Sequence, residues 1–136
     1  TLVGPGTPPR AVLDELGLEG TLLGVDALLE DRLLARDLNE RDLLGLLDRY
    51  PRTLALVTPI GGQGFLFGRG NLQFSPAVLR RLGRRDILPV ATPGKLQSLG
   101  GVLRLDTGDE EVDQMLSGPW RVLTGFREWA MVRAVL

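Results

Sequence analysis

Between Thr58 and Asn71 the chain reads TPIGGQGFLFGRGN, with glycines at 61, 62, 64, 68 and 70. Glycines let a backbone turn sharply and aim several N–H groups at one anion. Arg69 lies between two of them. An arginine there is a candidate phosphate clamp, because guanidinium binds phosphate bidentately; the alternative is a solvated loop arginine. Asn71 and Gln73 could hydrogen-bond a base or ribose, or tie the loop to itself. The segment follows the apolar run TLALVT and precedes a helix opened by Ser75. Strand, glycine loop and helix is a phosphate-holding context. It is not a Walker A loop, since no Gly-Lys-Ser/Thr ends it, and its spacing is not the dinucleotide fingerprint. The competing reading is a glycine-rich hairpin with Phe65 and Phe67 in the core.

The rest of the chemistry is bounded by absences. The chain has no cysteine and no histidine. Thiol nucleophiles, zinc-thiolate sites, Ser-His-Asp triads and His-ligated metals are therefore excluded. Carboxylates, arginines, the single Lys95, Tyr50, hydroxyls and the backbone remain. Asp26, inside LLGVDALL, is either a strand-end residue or lines a site. Asp106 and Asp109 flank Thr107-Gly108 and read as a capped strand-to-helix turn, with a magnesium role as the alternative. Arg80, Arg81, Arg84 and Arg85 read as a solvated helix end. A net charge of −1 leaves no footprint for nucleic acid. No apolar run is long enough to span a membrane, and no signal peptide is visible. The expected setting is cytoplasmic, with neither nucleic acid nor membrane as partner. A first residue of Thr suggests a processed chain or a fragment.

A chain of 136 residues predicts one domain, 1–136. Helices announce themselves by punctuation. GTPPRAVLDELG offers Thr7 as cap, Pro8 at the first helical position, a Val12-Leu13-Leu16 stripe and Gly17 as stop. SPAVLRRLG repeats this with Ser75, Pro76 and Gly83, and TPGKLQSLG with Thr92, Pro93 and Gly100. TGDEEVDQMLSGP carries acids in its first turn and ends at Gly118-Pro119. The longest helix is NERDLLGLLDRY, capped by Asn39, with Leu43, Leu46, Leu47 and Tyr50 on one face and Pro51 as terminator. Strands are expected in TLLGVDALL and RLLARDL around a Glu30-Asp31 turn, and in TLALVT, ILPVAT, VLRLDT, WRVLTG and EWAMVRAVL. LALV and ILPV lack alternation, as strands covered on both faces do. The last two form a hairpin about Gly125. Together these predict an α/β fold: a mixed sheet with short helices and a terminal β-hairpin.

LGVD, DLNERDLL, TPIGGQGFLFGRGNLQFSP, ILPVATPGKLQSLGG, LDTGD and RVLTGFRE, in this order, resemble the C-terminal part of the ATP-NAD kinase-like proteins. More narrowly, they resemble the bacterial and archaeal branch of predicted polyphosphate/ATP-NAD kinases. The resemblance implies a two-domain kinase related to diacylglycerol kinases, and offers a C-terminal β-sandwich as the alternative fold. It implies an N-terminal domain whose Gly-Gly-Asp-Gly motif handles the phosphate donor, ATP or polyphosphate with magnesium. That string is absent here; Gly61-Gly62-Gln63-Gly64 has a neutral Gln in the acid's place. The resemblance also implies an Asn-Glu pair at the NAD ribose and a Thr-Pro-x-Gly segment near the nucleotide, matched by Asn39-Glu40 and by Thr58-Pro59-Ile60-Gly61. The expectation is an acceptor-side domain, inactive alone, that binds an NAD-like molecule. Its expected contacts are Asp26, Asn39, Glu40, Thr58, Gly61, Gly62, Gln63, Gly64, Arg69 and Asn71, with no catalytic residue, no metal ligand and no tightly held cofactor. The expected partner is an N-terminal kinase domain or a second copy. The alternative is a non-enzymatic oligomerisation or small-ligand-binding module.

Overall fold

The computed structural model describes residues 1–21 and 23–136. The order of elements is β1 (Leu2–Val3), α1 (Thr7–Glu15), β2 (Val25–Leu29), β3 (Arg32–Leu38), α2 (Glu40–Arg49), β4 (Ala55–Val57), β5 (Phe65–Phe67), α3 (Pro76–Leu82), β6 (Ile87–Pro89), α4 (Pro93–Ser98), β7 (Val102–Leu105), α5 (Glu110–Leu116), β8 (Gly118–Gly125) and β9 (Glu128–Val135). The class is α/β, but the strands divide between two mixed sheets. One has the order β3-β2-β1-β4-β6 and the other β5-β7-β9-β8. They meet where the chain leaves β6: Val90 bridges Leu123, and the Ala91 amide donates to the Leu123 carbonyl at 3.1 Å.

Local chemistry explains most element boundaries. Asn39 and Asp42 form a reciprocal capping box at the start of α2, a device that stabilises a helix by about 1 kcal/mol. Ser75, Thr92 and Asp109 cap α3, α4 and α5. Thr7 does not cap α1: it is the first helical residue, Gly6 is the cap, and no side chain bonds there. The Val12-Leu13-Leu16 stripe also shrinks, since Pro9 and Leu13 are buried and Leu16 is exposed. Glu30 and Asp31 both adopt positive φ, 51° and 62°, as a two-residue hairpin turn of matching twist requires. The strand expected from Thr21 begins only at Val25, and its Leu22 lies outside the described residues.

Two-residue β1 separates two layers. Successive strand residues face opposite sides. Val3 packs with Leu13 of α1 and Leu28, whereas Leu2 belongs to the main core with Leu43 and Leu47 of α2. That core continues through Phe67, Phe74 and Leu79 to Leu103, Trp120 and Ala134, so both sheets share it. Central β4 is buried at every residue, as its unbroken apolar run predicts.

Candidate functional site

Strand direction gathers the polar residues. β1 is parallel to β4, β4 is parallel to β6, and antiparallel β2 returns β3 to the same direction. Four carboxyl ends therefore emerge on one edge of the sheet. β3 delivers Asn39-Glu40, β1 delivers Gly4 to Thr7, β4 delivers Thr58 to Gly61, and β6 delivers Thr92 to Lys95. Open α/β sheets bind ligands in the crevice outside such ends. Asp26 sits opposite Val3 in the ladder, at the same edge.

A cleft of about 520 Å³ opens there, lined by Gly6, Thr7, Thr58, Ile60, Gly61 and Lys95 among others, with no carboxylate in its wall. The Lys95 ammonium donates to the Gly61 carbonyl at 2.9 Å. A second cleft of about 440 Å³ lies beyond the glycine turn, with Gly62, Gln63, Ser98 and Arg104 in its wall. The turn itself closes a small antiparallel bridge: Ile60 and Phe65 exchange both backbone bonds, at 2.9 and 3.0 Å. Gly61 and Gly64 take positive φ, 75° and 70°. The hairpin reading of this stretch is thus correct in geometry, with Phe65 and Phe67 buried. Its tip nevertheless stands between two clefts.

The other named residues separate from this group. Asp26 is buried and accepts bonds from the Thr21 amide and hydroxyl and from the Asp37 amide, at 2.8, 2.7 and 2.9 Å. Asn39 accepts with its side-chain oxygen from the Asp42 amide at 2.9 Å; Asn39 and Glu40 are both exposed at the edge. Arg69 lies over the Phe65 ring at 4.5 Å and pairs with Asp106 at 3.4 Å, both side chains being exposed. Asn71 is buried, donates to the Leu66 carbonyl at 2.9 Å and has no partner for its own oxygen among the described residues. It ties the loop down. Gly64 packs against Leu99, and Gly62 has open space where a side chain would stand.

The Asp106–Asp109 turn is a capped one. Asp109 accepts from the Val112 amide at 3.2 Å and pairs with Arg80 at 2.8 Å. The Val112 amide above all holds its carboxyl below the usual value, against the opposing effect of desolvation, and the Arg80 guanidinium adds to the lowering. Arg84 departs from the solvated reading of its basic run. It stacks on Trp120 at 4.1 Å and donates to the carbonyls of Leu116, Ser117 and Pro119. Burial draws its guanidinium below the usual value.

Residues missed from the sequence are Gly6, Thr7, Lys95 and Arg104. Lys95 carried a usable sign, being the only lysine among 16 basic residues. Nothing in its neighbourhood told that it reaches Gly61. Among the described residues no group of three or more potential metal ligands lies together, and no helix is long and apolar enough to cross a membrane.

The family model described as the ATP-NAD kinase C-terminal domain matches residues 2–134. No curated protein and no solved structure matches the chain.

Proposed function

Because the chain belongs to the ATP-NAD kinase C-terminal domain family, we propose that it is the acceptor-side domain of an ATP- or polyphosphate-dependent phosphotransferase acting on an NAD-like dinucleotide. The carrying observation is the shared carboxyl edge. Asn39-Glu40 at the end of β3 and Thr58-Gly61 at the end of β4 are three strand positions apart, roughly 14 Å at the usual interstrand spacing. That span suits an extended dinucleotide better than a lone sugar or phosphate. Exposed Glu40 and the free amide of Asn39 meet a ribose at one end. The glycine turn, with Gln63 and Arg104 beyond it, takes the other.

The chain's residues do not fit a magnesium-donor complex of their own. Among the described residues the cleft wall holds no carboxylate, and Asp26, at the same edge, already accepts three hydrogen bonds. Donor, metal and reacting phosphoryl group belong in this reading to an N-terminal kinase domain bearing Gly-Gly-Asp-Gly. This chain binds and orients the acceptor and does not turn over alone. Its partner is that domain or, as a second arrangement, another copy through the exposed Phe126, Trp129 and Met131 of the β8–β9 hairpin.

The test has two arms. NAD added to the labelled chain should shift the amides of Asn39, Glu40 and Gly61 to Gln63 together. The purified chain should give no ATP-dependent NADP above blank, and activity should appear when a Gly-Gly-Asp-Gly domain is supplied. Turnover by the chain alone, abolished by one carboxylate substitution, would overturn the acceptor-domain reading.

A further inference from the structure

At the amino end of β6, opposite the end that delivers Thr92 and Lys95, lies a groove that the dinucleotide reading does not use. β6 and β8 belong to different sheets and are bridged in parallel at Val90–Leu123. Toward their amino ends the wedge between them opens into about 550 Å³. Arg84, Arg85 and Leu88 stand on one side, and Trp120, Arg121 and Trp129 on the other. Both tryptophans of the chain are therefore in this one wall.

Each indole carries a guanidinium. Arg84 lies over Trp120 at 4.1 Å, and Arg121 over Trp129 at 4.3 Å. Stacking orders a guanidinium and leaves its in-plane N–H groups for oxygen acceptors. Half-buried Arg84 gives its own to the carbonyls of Leu116, Ser117 and Pro119. Arg85 and Arg121 are exposed. Elsewhere arginines find acids: Arg69 pairs with Asp106, Arg80 with Asp109 and Arg81 with Asp48. Among the described residues none of the three groove arginines has such a partner, and no carboxylate lines the groove. Three cations thus stand together uncompensated on a chain whose net charge is −1.

The rest of the wall is apolar, with Ile87, Leu88 and Pro119 beside the exposed Trp129. An occupant that matches both halves carries acids next to apolar side chains. The groove is open along one side, whereas small ligands bind where most of their surface is enclosed. Tryptophan and arginine are also the residues that dominate protein interfaces. Three cations are too small a footprint for nucleic acid. We propose that the groove docks an acidic peptide segment of a protein partner, its carboxylates on Arg85 and Arg121 and an apolar side chain against Trp129 and Leu88. Main cleft and groove lie at opposite ends of β6, so the partner sits here while the cleft is occupied. The proposal does not rest on the dinucleotide reading.

With no other tryptophan in the 136-residue chain, its intrinsic fluorescence reads this groove. The probe is the peptide acetyl-Glu-Leu-Glu-Asp-Leu-Glu-amide, set beside its Gln and Asn counterpart and inorganic tripolyphosphate. The acidic peptide should shift the emission, and its affinity should fall as salt rises. Arg85→Gln and Arg121→Gln, both at exposed positions, should each weaken it about tenfold, the scale of one charge-assisted hydrogen bond. Calorimetry measures those affinities, since Arg121→Gln also alters the surroundings of Trp129. Both variants should leave the NAD-induced shifts at Gly61 to Gln63 unchanged. Any of four results would overturn the proposal. They are an acidic peptide that fails to bind at millimolar concentration, a neutral counterpart that binds equally well, arginine variants that bind like wild type, and tripolyphosphate bound more tightly than the peptide. Self-association of the chain that Arg85→Gln abolishes would make a second copy the occupant and overturn the outside partner.

Discussion

Two glycine segments border the same cleft, and they use glycine differently. The five glycines from 61 to 70 are conspicuous in the sequence, yet most serve the chain's own geometry. Gly68 has φ 103°, and a Cβ there would overlap the Asp106 backbone carbonyl. Gly70 presses on Ile60, and Gly64 on Leu99. The short Gly4-Pro5-Gly6 segment is sparse, but a Cβ at its positive-φ Gly6 would overlap the Thr58 methyl group in the cleft wall. Glycine density therefore marks where strands crowd one another, whereas the single enforced contact lies in the wall of the cleft.

Substitutions can break or sharpen this contrast. Gly68→Ala should cost the most, about 3 kcal/mol or more, because positive-φ strain adds to overlap with backbone that cannot move aside; urea unfolding measures it. Gly6→Ala should cost about 2 kcal/mol, and it should also displace Thr58 and remove the NAD-induced amide shifts at Gly61 to Gln63 in whatever fraction remains folded. A Gly6→Ala chain that binds NAD normally would dissolve the contrast. Next comes Asn71→Ala, expected to lose about 1–3 kcal/mol because the Leu66 carbonyl is left unpaired, with ligand shifts intact.

Arg69→Ala sharpens the comparison further. A phosphate clamp would lose roughly 1.5–3 kcal/mol of binding. The exposed pair with Asp106 and the stacking on Phe65 predict instead less than about 1 kcal/mol of stability, and equal NAD, NADP and ATP affinities by calorimetry. Smallest of all is Gly62→Ala. That position has ordinary φ and open space around it, so stability should move by less than about 0.5 kcal/mol.

Caps and breakers were legible because they act over three or four residues. Asn39, Ser75, Thr92 and Asp109 each bond the amide three positions on, a spacing visible in one dimension. β1 was not legible, since two residues carry no period. β5 was hidden inside a glycine run, where Phe-Leu-Phe reads equally as loop packing. The pairing of β1 with β4, fifty-odd positions away, has no local sign, and that pairing creates the shared edge. The edge and its cleft were therefore half visible: Thr58, Gly61 and the Asn39-Glu40 pair were singled out by motif, but Gly6 and Lys95 join them only once parallel strands bring their ends together.

The contact of Ala91 with Leu123 also bears on whether the molecule can be divided. No residue beyond Lys95 lines the main cleft, so a chain cut after Ser117 retains every group that would touch a ligand there. Such a cut nevertheless removes β8 and β9. The Ala91 amide, next to Thr92 in the cleft wall, loses its acceptor. Arg84 keeps the Leu116 and Ser117 carbonyls but loses Pro119 and the Trp120 ring beneath it. Trp120, Val122, Val132 and Ala134 leave the common core. The half that carries the cleft has no boundary of its own, and the last nineteen residues support the cleft without lining it.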